Sequence, residues 1–107
     1  MPKYLFIGRY TAEGGRGVLK DGGTRRREVA GEVVGSVGGT LESFHFAFGG
    51  DDFYLIADLP DNSAAAAASL TVGASGAIDI RTVVLMTPEE VDTAVGRSVK
   101  YSPPGQS

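Results

Sequence analysis

The chain has 107 residues, 42% hydrophobic and 21% charged, with a net charge of −3 at pH 7. That is the length of one domain, with enough apolar content for an ordinary core and too little net charge for a disordered chain. The charge gives no general attraction to nucleic acid or an anionic membrane, and the absence of cysteine excludes disulfides, thiolate metal sites and cysteine nucleophiles.

In chain order, Tyr4–Tyr10 reads as a strand, with Leu5 and Ile7 on one side and Tyr4, Phe6 and Tyr10 on the other. The glycine-dense stretch Gly14–Gly17 reads as a flexible loop. Thr24 is placed to cap a helix running to about Val37, in which Val29, Val33 and Val37 form an apolar stripe and Gly38-Gly39 ends the helix. Thr40–Phe48 alternates again, Gly49–Asp52 makes a hairpin connection, and Phe53–Asp58 is the return strand. Asp61 or Asn62 caps an alanine-rich helix to about Ser75, and Ala77–Leu85 is a fourth strand. Thr87-Pro88-Glu89-Glu90 carries a capping box, threonine at N-cap and glutamate at N3 with proline between them at N1, and opens a short helix through about Arg97.

The order is βαββαβ with a C-terminal helix. The fold class is therefore α+β, ferredoxin-like, as one domain over residues 1–101 with an extended Pro/Gly tail over 102–107. One sheet face collects Leu5, Ile7, Phe44, Phe46, Phe53, Leu55, Ile78 and Ile80, and suits the helices. The other collects Tyr4, Phe6, Tyr10, Ser43, His45, Tyr54, Ile56, Asp58, Asp79 and Arg81. Amphipathic aromatics on such a mixed face point to a partner or a ligand.

Several stretches in this order resemble the GYD domain family: Tyr10-Thr11-Ala12-Glu13-Gly14, Phe46-Ala47-Phe48-Gly49, Asp58-Leu59-Pro60-Asp61-Asn62 and Leu85-Met86-Thr87-Pro88-Glu89-Glu90. The resemblance covers roughly positions 3 to 100. It implies a dimeric α+β barrel, in which ferredoxin-like subunits pair sheet to sheet, and it implies no activity. The family's Gly-Tyr-Asp signature falls at Gly49–Asp52, where Asp51 stands in the tyrosine position. No role of that tyrosine carries over to this chain.

His45 is the single histidine. On the mixed face it reads either as an acid–base group working with Tyr54 and Asp58, or as an inert interface residue. Asp58 reads equally as an acid–base group or as an ion-pair partner across the sheet. Tyr4, Tyr10, Arg25 and Arg81 are the candidate ligand-binding residues. Arg25-Arg26-Arg27 opens the first expected helix, where it would either hold an anion or pair with Glu28 and Glu32. No cofactor and no metal is called for, and no dinucleotide, phosphate-loop or nucleophile-elbow motif occurs.

The function expected is small-molecule binding or a structural role in a homodimer or larger oligomer. The alternative is a cofactor-independent oxygenase or isomerase using His45. Neither nucleic acid nor membrane is an expected partner. The N-terminus lacks a signal peptide's cleavage site, so a cytoplasmic protein is expected.

Overall fold

The computed structural model describes residues 1–106. Strand β1 (Lys3–Tyr10) leads into helices α1 (Ala12–Asp21) and α2 (Gly23–Ser36). Then follow β2 (Thr40–Phe46), β3 (Phe53–Asp58), α3 (Asn62–Ala74), β4 (Ile78–Val84) and α4 (Pro88–Val95). Every strand pairing is antiparallel and the sheet order is β2-β3-β1-β4. With α2 and α3 packed on one face, this is the ferredoxin-like α+β arrangement. In the expected C-terminal tail, Gln106 N–H closes a turn onto the Pro103 carbonyl at 3.0 Å. Ser107 lies outside the described residues.

Gly14–Gly17 is helical, which corrects the loop expected there. Interior glycines cost about 0.8–1.0 kcal/mol each in a helix, so something must hold this one. Thr11 caps it, its Oγ1 accepting from the Gly14 N–H at 3.2 Å. The same residue ties the helix start to the turn before β4, through Thr11 N–H to the Ala77 carbonyl at 3.0 Å and Thr11 O–H to the Gly76 carbonyl at 2.9 Å. Gly14 sits so close to the Ala77 carbonyl that a Cβ there would overlap it. Here glycine provides close approach rather than flexibility.

Helix α2 starts two residues earlier than expected, from Gly22 in a positive-φ conformation, so Thr24 lies inside the first turn. Its Val34 is buried against the sheet. Helix α3 is capped by Asp61, whose Oδ1 accepts from the Ala64 N–H at 2.9 Å. Its Ala65 and Ala68 are buried, so the low side-chain bulk brings the helix close to the sheet, whereas Ala67 faces solvent.

The two faces of β1 are the reverse of those expected. Tyr4, Phe6 and Gly8 are buried beneath the helices, while Leu5 and Ile7 stand half-buried on the opposite face. The pairing of β1 with β3 fixes this, because Tyr4, Phe6 and Gly8 lie opposite Ala57, Leu55 and Phe53. Phe53 lays its ring over Gly8, leaving no room for a Cβ. Phe53 also packs on Phe44 with ring centroids 5.3 Å apart and on Tyr10 at 5.5 Å. At the far end, the Tyr4 hydroxyl donates to Asn62 Oδ1 at 2.6 Å, which satisfies the polar end of a ring only 1% exposed. Phe44, Phe53, Leu55, Ile78 and Ile80 keep the helix-side positions expected of them.

Ala68→Leu therefore overpacks the α3–sheet contact and lowers stability by about 1–3 kcal/mol, whereas Ala67→Leu stays within about 0.5 kcal/mol of the parent. Urea unfolding of the two variants checks the contrast. Equal midpoints would show that α3 is not held tightly against the sheet.

Candidate functional site

The face of the sheet that the helices leave open presents its side chains in rows. His45, Tyr54, Ile7 and Arg81 lie side by side across β2, β3, β1 and β4. The next row is Ser43, Ile56, Leu5 and Val83. Leu5, Ile7, Ile56, Tyr54 and Val83 thus make an apolar patch in the middle of the sheet, half-buried to exposed.

Charges close the patch at both ends. At one end the Lys3 ammonium donates to Glu42 Oε1 at 2.6 Å and to Asp58 Oδ1 at 2.9 Å. The hydrogen bonds from Lys3 to Glu42 and then to Asp58 hold its pKa above the usual lysine value. At the other end Arg9 lies opposite Asp79, and Arg81 donates to Asp51 Oδ2 at 2.8 Å. A β-bulge between Leu41 and Ser43 sets the phase of β2 so that Ser43 and His45 share this face.

The candidate residues therefore divide among several places. His45 and Tyr54 are cross-strand neighbours, with Arg81 two strands beyond in the same row. Asp58 shares the face but stands four residues along β3 from Tyr54, roughly 13 Å away at the strand rise, in the grip of Lys3. Tyr4 and Tyr10 lie on the helix side of the sheet. Arg25 is on the outer surface of α2, 3.4 Å from Glu28 and 3.6 Å from Glu32. That is an ion-pair arrangement on a solvated helix face.

Beneath α2, Tyr10 lines a narrow cavity of about 50 Å³ with Arg26 and Phe53. Burial raises the Tyr10 pKa above the usual phenol value, and the nearby Arg26 works in the opposite direction. A second, partly open space of about 40 Å³ is lined wholly by apolar residues, Phe6, Val34 and Leu55 among them. Both are far below the roughly 300–1,000 Å³ of ordinary ligand pockets, and His45 lines neither. Among the described residues, no group of three or more His, Asp and Glu side chains is placed to hold a metal ion.

The hairpin after β2 contains two aspartates with different work. Asp52 accepts from the Tyr10 backbone N–H through Oδ2 at 2.8 Å, and its own N–H donates to the Gly8 carbonyl at 2.8 Å. It locks the hairpin to β1 below the open face. Asp51, in the position where the family motif has tyrosine, reaches Arg81 instead. Asp52 is not among the candidate residues read from the sequence, because its contacts are to β1, some forty residues away. Asp52→Ala leaves a part-buried N–H without a partner and costs about 1–3 kcal/mol. Asp51→Ala breaks an exposed ion pair and costs about 0–1 kcal/mol. Thermal melts of both variants check this order, and the reverse order would remove the anchoring role from Asp52.

No curated protein and no solved structure matches the chain. The GYD domain model matches residues 4–95, from the start of the buried run of β1 to the end of α4. With nearly every strand and helix inside that match, the chain belongs to the GYD domain family.

Proposed function

We propose that this protein works as a homodimer, or an oligomer built from dimers, in which two open sheet faces meet across a two-fold axis. Its function on this reading is to bind a small molecule between the faces or to serve a structural role. The observation that carries it is the patch of Leu5, Ile7, Tyr54, Ile56 and Val83 lying uncovered in the centre of the sheet. A contiguous apolar surface rimmed by charges is characteristic of an interaction site. A two-fold contact makes the patch its own complement. Both ends carry charges of both signs, Lys3 with Glu42 and Asp58 at one and Arg9 beside Asp79 at the other, so cations of one copy can meet carboxylates of the next.

On this reading His45, Tyr54 and Arg81 line the space between the sheets. They offer an imidazole, a phenol and a guanidinium to a ligand with polar edges. Binding fits better than turnover, because Asp58 is spent on Lys3 at the far end of β3 and His45 has no hydrogen-bonding side chain to orient it among the described residues. A cytoplasmic location is part of the same proposal. No helix among the described residues is long and apolar enough to cross a membrane.

Ile7 tests the face, because it sits at its centre and a polar side chain there is harmless in a monomer. Light scattering is expected to give at least twice the chain mass of 11.1 kDa for the parent. Ile7→Glu is expected to fall to the single-chain mass with its circular dichroism unchanged. A parent that scatters as a monomer at micromolar concentration, or an Ile7→Glu variant that stays associated, overturns the proposal.

A further inference from the structure

We propose that the arm beginning at Met86 docks helix α4 into the groove between α3 and β4 of a second copy of this chain, each copy giving one arm and receiving one. The inference rests on the self-association proposed above and names the segment that completes it.

Every residue from Met86 to Gln106 is exposed. The arm stretches the molecule to 58 Å in its longest dimension and gives a radius of gyration of 17.2 Å, against about 13 Å for a compact domain of this length. Yet the arm is not simply a polar tail. Val91 and Val95 stand one turn apart on α4, 47% and 79% exposed, with Met86 before them and Val99 and Tyr101 after. Helix α4 has 8 residues, and isolated helices shorter than about 12–15 residues are marginal in water. The capping box of Thr87 and Glu90 fixes where the helix starts. A stable helix of this length still needs its apolar side covered.

The groove offers that cover. Two openings of about 340 and 520 Å³ lie end to end between α3 and β4, sharing Ser69 and Leu70. Leu70 is 74% exposed and Val84 56% exposed at its rims. The groove follows the edge strand β4 from Val84 to Asp79, about 17 Å at the strand rise. That length accepts the roughly 12 Å of an eight-residue helix. Seated with its first turn at the Val84 end, α4 carries Arg97 and Lys100 toward Asp79, where the charges are opposite.

Area favours a second copy as the source of the helix. The open sheet face, four strands of about seven residues, presents a plane of roughly 400 Å². A stable interface of standard size buries about 800 Å² on each partner. Exchanged arms supply the missing part, and the chain's own α4 stands clear of its own groove.

The absence of cysteine allows a direct test. Leu70→Cys chains are co-expressed with Val95→Cys chains, oxidised mildly and resolved without reductant. Exchange is expected to give a disulfide-linked species of twice the chain mass that joins the two variants, in at least tenfold excess over either variant alone. If both substitutions in one chain instead cross-link at the single-chain mass, the arm folds onto its own groove and the inference is wrong. Absence of any cross-link likewise overturns it. Light scattering on the same samples separates the two readings: a dimeric mass without cross-linking removes only the arm, whereas a monomeric mass removes the face contact as well.

Discussion

Phe53 lies over Gly8 in the middle of the sheet, with Phe44 stacked on one side of it and Tyr10 on the other. This contact is possible in only one phase of β1, because any side chain at position 8 would collide with the ring. A one-residue slip in a strand moves every side chain to the other face. By holding Gly8 under the helices, the ring also places Tyr4 and Phe6 there and sends Leu5 and Ile7 to the open face. The apolar patch and the row of His45, Tyr54, Ile7 and Arg81 both follow from that choice.

Two further glycines let main chain meet main chain. Gly14 approaches the Ala77 carbonyl and Gly39 approaches the Asp58 carbonyl, each leaving no space for a Cβ. The first joins α1 to the entrance of β4, and the second joins the start of β2 to the end of β3. Asp52 adds a side-chain anchor of the same kind, tying the hairpin to the end of β1. The frame of the open face is thus fixed by backbone packing, and its side chains are left free to meet something else.

What remains uncovered in the subunit is apolar on three sides: the open sheet face, the groove along β4 and the stripe on α4. None of the described elements of the same chain covers them. Burial of apolar surface is the main favourable term in association, and the two-fold pair proposed above would cover face with face and groove with arm. The polar groups among them, His45, Tyr54 and Arg81, would then lie where water is partly excluded, and electrostatic and hydrogen-bonding preferences for a ligand are strongest there.

Local chemistry determined much of this protein from the sequence alone. A cap for α3 at Asp61 or Asn62, the capping box at Thr87 and Glu90, the Gly49–Asp52 hairpin and the alternation of Phe44, Phe46, Phe53 and Leu55 are all short-range signals, and the four strands and the fold class follow from them. The phase of β1 was less legible, because Tyr4 through Ile7 are all apolar and a two-residue period has no preference there. The clue lay at the strand ends, where Lys3 and Arg9 share the parity of Leu5 and Ile7. Helix α1 was hidden by its glycines, whose low helix propensity is overcome only by contact with Gly76 and Ala77, over sixty residues away. For the candidate site, sequence supplied His45, Tyr54 and Arg81 as neighbours. It also grouped Tyr4, Tyr10 and Asp58 with them, residues that the tertiary structure assigns to the opposite face or to Lys3. Those assignments depend on which strands pair and which ring fills which gap, interactions between residues distant in the chain that no local pattern encodes.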